Sequence, residues 1–144
     1  MNAVRRNAPA RDELSAWIFA TIEERVEGDS LRDRSMHLCY AFAYAVREAL
    51  TDAGQSPTLV DYTRPGSGPS HVAVALDDVR LDVHGAWLAS DPPKGLEGLE
   101  EKPVSSERET RDWGCPDYDD PKLRGDLLRS LRRNLAGRRI TQAR

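Results

Sequence analysis

The sequence predicts an α+β fold in which a central helix packs on a small antiparallel β-sheet, with flanking helices near both termini. Three observations predict it. The most apolar stretch of the chain has helical spacing and high helix propensity. Two short runs on either side of Asp77-Asp78 alternate apolar and polar residues, which is typical of a β-hairpin. Two further amphipathic segments lie toward the two ends of the chain.

The bulk properties suit one small domain spanning residues 1–144. The net charge of −3 neither favours nor excludes a polyanionic partner. No run approaches the roughly 20 apolar residues that cross a bilayer, and the first residues do not resemble a secretory signal. Two cysteines are too few for a disulfide scaffold. We expect a protein without membrane association, located in the cytoplasm or delivered without a signal peptide.

Three helices are predicted, after a flexible tail at residues 1–10. The first runs from about Asp12 to Val26 and the central one from Ser35, as N-cap, to about Asp52. The third covers residues 120–137, with Asp-Pro at its start and glycine at its end.

Strands are predicted at Thr58–Thr63 and in a hairpin formed by His71–Leu76 and Val79–Val83. If Asp77 and Asp78 form the turn, one face of the hairpin is entirely apolar and must pack on the central helix. That face contains Val72, Val74, Leu76, Val79, Leu81 and Val83. Residues 86–118 have no sustained period. We expect a long irregular segment there, which borders the site as a lid.

Cys39, His71 and Asp82 have the residue types of a cysteine–histidine–acid site. Cys39 is expected in the first turn of the central helix, where the helix dipole and free N–H groups favour a thiolate and bind an oxyanion. On the hairpin, Asp82 is a diagonal neighbour of His71 and can orient its imidazole toward the thiol. His84 would face His71 directly and is an alternative third member or a substrate contact. His37, two residues before the cysteine, is a further candidate contact.

The order of these residues resembles a known superfamily. A cysteine at the start of a central helix (His37–Ala43) precedes a strand led by histidine (Ser70–Val74), and an adjacent strand carries an acid (Leu81–Gly85). This looks like the papain-like cysteine peptidase superfamily in its cysteine-first order, as in transglutaminase-like domains, NlpC/P60-like domains and some bacterial deamidase effectors. The resemblance covers residues 35–87 and implies a papain-like or transglutaminase-like core.

The resemblance implies that Cys39 is the nucleophile, His71 the general base and acid, and Asp82 the orienting residue. Leu38 and Tyr40 stand where the NlpC/P60 pattern has aspartate and serine, and no tryptophan lies near the cysteine as in transglutaminases, so no single member family is predicted. The expected chemistry is acyl transfer from an amide in a protein or peptide, with water or an amine as acceptor. A peptidase, an amidase, a deamidase and an acyl transferase all remain open.

A second hypothesis is a non-catalytic binding or inhibitor protein that acts through its acidic segment 97–120 or its basic C-terminal helix. The leucine stripe of that helix explains its period, so its arginines are interpreted as a solvated face and we do not expect a nucleic-acid partner. Cys115 is interpreted as a structural or incidental thiol. His37, Cys39 and the remote Cys115 lack zinc-site spacing, so we expect neither a metal nor another cofactor.

Overall fold

A computed structural model describes residues 3–66, 69–112, 119–136 and 138 of the 144-residue chain. In chain order its elements are α1 (Ala3–Ile22), β1 (Arg25–Val26), β2 (Asp29–Ser30), α2 (Leu31–Ser35), α3 (Cys39–Asp52), β3 (Thr58–Thr63), β4 (Pro69–Leu76), β5 (Val79–Asp82), β6 (Gly85–Leu88), a 3₁₀ turn (Lys94–Leu96), β7 (Glu100–Pro103), α4 (Ser106–Asp112) and α5 (Pro121–Ala136).

The five strands β6-β5-β4-β3-β7, in that spatial order, form one antiparallel sheet, and β1 and β2 form a separate two-stranded ribbon. The β4–β5 hairpin has the predicted register, because Leu76 pairs with Val79 and Val74 with Leu81. Asp77 begins its turn with φ of 52°, a left-handed conformation that aspartate tolerates better than most residues. The α+β class predicted from the sequence is confirmed.

One face of this sheet packs on α3, as the alternation of the hairpin predicts. The buried hairpin residues on that face are Val72, Val74, Leu76, Val79 and Leu81. α1 packs on β6 and α5, and α5 packs on α3. Burial stabilises each fully enclosed leucine or valine side chain by about 1.5–3 kcal/mol, so α3 is firmly fixed against the sheet.

The opposite face of the sheet has a second, smaller apolar cluster. Its members are Val60, Tyr62, Ala73, Ala75 and Trp87, with Leu96 and Leu99 packed on them.

The prediction of a long irregular segment at residues 86–118 is wrong for its described part, which contains β6, the 3₁₀ turn, β7 and α4. The longest of these elements has 7 residues, too few for a period to appear. β7 forms because it pairs with β3, since its own residues have low β propensity.

Of the two terminal helices, the N-terminal one differs from the prediction. α1 begins at Ala3, so the tail predicted for residues 1–10 is helical from that residue onward. It ends at Ile22, and Val26, predicted as its last residue, lies in β1 instead. α5 matches the helix predicted at residues 120–137, whose final glycine lies outside the described residues. Within the described residues, no helix has the length and apolar composition needed to span a bilayer.

The predicted central helix is divided in two. Ser30 caps α2, because its hydroxyl accepts a hydrogen bond from the N–H of Asp33. Ser35, predicted as the N-cap of the central helix, is instead the last residue of α2. The chain then turns, and α3 begins at Cys39. The break places the cysteine at a helix terminus.

Candidate active site

Cys39 is the first residue of α3, and the residues before it determine its position. His37 turns the chain with a left-handed backbone, at φ of 67°. Leu38 is the N-cap, and its side chain makes no capping hydrogen bond. The thiol therefore lies at the positive end of the helix dipole, beside first-turn N–H groups that the cap side chain leaves available. This is closer to the helix terminus than the sequence predicts.

The hairpin brings His71 and Asp82 together. Nε2 of His71 lies 2.6 Å from Oδ2 of Asp82. Oδ1 of Asp82 accepts a second hydrogen bond, of 2.8 Å, from the backbone N–H of His84. Asp82 is only 3% exposed, so these donors act in a water-poor environment where charge-assisted hydrogen bonds are strong. The carboxylate orients Nε2 of the imidazole toward itself and leaves Nδ1 for another partner.

The Cys39 thiol is the neighbouring group that interacts with His71, and both residues line one cleft. Burial alone would lower the pKa of His71, but the hydrogen bonds to Asp82 and to Cys39, with their negative charges, raise it to about 9. Burial alone would raise the pKa of the Cys39 thiol, but His71 and the backbone N–H of Val72 hold it below its ordinary value. Both shifts are in the direction that favours the thiolate and imidazolium forms of the pair.

The Val72 N–H is available because β5 is short. The sequence predicted β5 to reach Val83, but it ends at Asp82, which pairs with Gly85 as the chain turns into β6. The pairing of β4 with β5 therefore stops at Val74, and the residues of β4 that precede Val74 are not paired with β5. The start of α3 packs at this opening. Sequence reasoning missed this donor, since a backbone N–H has no residue-type signal.

A cleft of about 320 Å³ opens at the thiol. It is lined by Ser35, Met36, His37, Cys39, Phe42, His71, Val72, Asp82, Val83 and His84. His37 and His84 both line the cleft, and their role as substrate contacts stays a prediction. Neither replaces Asp82, because the aspartate takes Nε2 of His71, and His84 contacts that carboxylate through its backbone N–H. Met36, which the sequence reasoning gave no role, lines the cleft although it is 49% exposed.

The segment predicted as a lid does not border this cleft in its described part. The lining residues come from the end of α2, the α2–α3 connection, α3, β4, the end of β5 and the β5–β6 turn. The residues after β6 pack instead on the opposite face of the sheet. The remainder of the segment includes Cys115, which lies outside the described residues, so its interpretation as a structural or incidental thiol stays a prediction.

The arginines of α5 are matched with carboxylates. Arg124 pairs with Asp119, Arg129 with Asp126, Arg132 with Asp52, and Arg133 with Glu24. Much of the positive charge on this helix is thus neutralised within the chain, which weakens the field that it offers to a polyanion. In the described ranges, no group of three or more His, Cys, Asp or Glu residues is arranged to hold a metal ion.

Comparison with known proteins finds no matching family model, no similar curated protein and no similar solved structure. The resemblance to the papain-like superfamily therefore rests on the order and geometry of the site residues and stays a prediction.

Proposed function

We propose that the protein is a cysteine hydrolase or acyl transferase that acts on an amide through Cys39, His71 and Asp82. One observation carries the proposal. A single imidazole is bound at Nε2 by a buried carboxylate, 2.6 Å away, and it lines the same cleft as a thiol at the start of a helix, with which it interacts. A histidine with a purely structural role needs no thiol partner. An oriented base beside a thiol is the arrangement that activates a nucleophile.

In the proposed reaction the Cys39 thiolate attacks the carbonyl carbon of the amide, and the C=O electron pair moves onto oxygen. The first N–H groups of α3 stabilise that oxyanion. The His71 imidazolium donates its Nδ1 proton to the leaving amine as the C–N bond breaks, which leaves a thioester on the cysteine. Water or an acceptor amine then attacks the thioester, the imidazole takes its proton, and the thiolate is regenerated.

The resemblance to papain-like and transglutaminase-like proteins is part of this proposal. It is supported by an α+β fold in which α3, which begins with the cysteine, packs on an antiparallel sheet. It is also supported by the adjacent strands β4 and β5, which supply the histidine and the acid. The proposed substrate is a protein or peptide. A reactive free thiol suits a reducing compartment such as the cytoplasm.

Thiol labelling tests the proposal. We expect iodoacetamide to alkylate Cys39 with a midpoint well below about pH 8, faster than Cys115, with the two thiols distinguished by peptide mass spectrometry. His71→Ala should slow the alkylation of Cys39 near neutral pH by about tenfold or more, because the thiolate loses its cationic partner. Slow and equal labelling of both thiols, with the pH dependence of an ordinary cysteine, would show the proposal to be wrong.

Substrate profiling then separates the reaction types. Candidate proteins and peptides are incubated with the wild type and with Cys39→Ala, and their masses are compared. Cleaved peptides indicate a peptidase, conversion of glutamine to glutamate a deamidase, and an amine adduct an acyl transferase. Products that form equally with Cys39→Ala do not come from this site.

A further inference from the structure

Tyr62 lies beside the site on the neighbouring strand. In the register of β3 and β4 it pairs directly with His71, and residues that pair in this way point to the same face of a sheet. The two ring centroids are 6.2 Å apart and the ring planes are tilted by 32°, within the contact range of aromatic pairs. Tyr62 is buried, so its ring forms a wall beside the imidazole.

The far end of the Tyr62 ring is fixed by polar contacts. Its hydroxyl donates a 2.7 Å hydrogen bond to Oε1 of Glu101. Glu101 also accepts hydrogen bonds from Nε of Arg80 at 2.7 Å and from Nη2 at 3.2 Å. These three residues, here called the tyrosine clamp, join β3, β7 and β5. Trp87, with a centroid 6.5 Å away, packs against the same ring.

The protonation states of the tyrosine clamp suit these contacts. The hydrogen bond from Arg80 is the main cause of a lowered pKa at Glu101, so this group remains an anionic acceptor. Burial, with the neighbouring Glu101 carboxylate, raises the pKa of Tyr62, so the phenol remains a donor. The clamp therefore keeps its hydrogen bonds throughout the pH range in which the thiol and imidazole titrate.

We infer that Tyr62 is a positioning residue that keeps the His71 imidazole in the orientation linking the acid to the thiol. The terminal torsion of histidine is broad, so one hydrogen bond at Nε2 still allows the ring to tilt. A packed aromatic wall restricts that tilt and excludes water from one side of the ring. This inference rests on the proposed function, because the orientation of His71 matters only if the imidazole serves the thiol.

A purely structural role for Tyr62 predicts different behaviour. Tyr62 also belongs to the apolar cluster with Val60 and Trp87, so its loss lowers stability in either case. Only a positioning role changes the titration of the thiol–imidazole pair. The test therefore measures the pH midpoint of Cys39 alkylation together with the NMR titration of the His71 ring.

Two pairs of variants separate these roles. Tyr62→Leu removes the ring, and we expect the alkylation midpoint to rise by about one pH unit, which is about a tenfold loss of rate below the midpoint. Tyr62→Phe retains the ring and should move the midpoint less. Glu101→Ala removes the acceptor of the tyrosine hydroxyl and should move it in the same direction. Glu100→Ala, the adjacent and exposed glutamate of β7, is the matched control and should leave it unchanged.

A wild-type midpoint in Tyr62→Leu, Tyr62→Phe and Glu101→Ala, with only stability altered, would overturn the inference. If Tyr62→Leu does not fold, the other two variants decide, and no shift in either of them overturns it. The two proposals fail in different ways. An ordinary thiol midpoint in the wild type refutes the proposed function, whereas a lowered wild-type midpoint that none of these variants moves refutes only the role of Tyr62.

Discussion

Replacing Asp82 with asparagine removes a charge and keeps the size of the side chain. Asp82 uses both oxygens as acceptors, one for Nε2 of His71 and one for the N–H of His84. Asparagine has a single carbonyl oxygen, so its NH₂ group must face one of these two donors. A buried donor without an acceptor costs about 1–3 kcal/mol, and we expect Asp82→Asn to lower the free energy of unfolding by that amount.

The larger effect is on the charge of the thiol–imidazole pair. The pKa of His71 is about 9, against an ordinary value of 6.5, and the hydrogen bond to Asp82 is the main cause of the rise. Without the carboxylate, we expect it to fall toward the ordinary value, so that a neutral thiol and imidazole become the resting state. One unit of pKa is a factor of ten in the equilibrium, so alkylation of Cys39 near about pH 6 should slow by about tenfold to a hundredfold.

The assay is the rate of Cys39 alkylation by iodoacetamide as a function of pH, combined with urea denaturation. Asp77→Asn is the matched control, because it removes the same charge from an exposed turn of the same hairpin. Asparagine tolerates the left-handed backbone at that position, so the turn should be retained. An unchanged pH profile in Asp82→Asn, or an equal shift in Asp77→Asn, would refute the assignment of Asp82 as the group that sets the charge of His71.

Two further predictions concern stability. In Cys39→Ala, the raised pKa of His71 contributes to stability. This contribution is complete below about pH 6.5 and is lost as pH rises through the pKa of His71 in the folded protein. Over that range the free energy of unfolding should fall by up to about 1.4 kcal/mol per pH unit. In the wild type, the lowered pKa of the thiol contributes stability at high pH that is lost as pH falls through the folded pKa of the thiol, which opposes this trend. The free energy of unfolding, measured by urea denaturation at about pH 7 and 8.5, should therefore fall less in the wild type than in Cys39→Ala. An equal fall in both proteins would contradict the coupling. Gly85→Ala should cost about 1–3 kcal/mol, because φ is 117° and a Cβ would lie 2.9 Å from Cζ of Phe19. Gly98→Ala, with φ of 78° and open space around it, should cost less, and an equal loss in thermal denaturation would contradict the role of the Phe19 contact.

The hairpin was the most predictable part of the molecule and of the site. Its alternation fixed which residues face α3, and the Asp77-Asp78 turn then fixed the register. From that register the sequence predicted that Asp82 and His71 share one face, and the structure has them in hydrogen-bond contact. Local pattern was sufficient here because both residues belong to one hairpin.

Features that depend on tertiary contacts were not predictable. Helical spacing continues through Met36 and Leu38, so it did not reveal the break that makes Cys39 a helix terminus. β7 has a charged composition and forms only because β3 offers it a partner edge. Tyr62 had no pattern to mark it, since its contact with His71 depends on the pairing of β3 with β4.

The two halves of the site have different origins in the folding of the chain. His71 and Asp82 are 11 residues apart and meet within one hairpin, whereas Cys39 reaches the imidazole only when α3 docks on the sheet. A chain with a formed hairpin and an undocked helix therefore contains an oriented acid–base pair and a thiol with the pKa of an ordinary cysteine. The shift in the pKa of the thiol depends on His71 and Val72, so it requires the native topology, and alkylation of Cys39 at low pH would report that docking is complete.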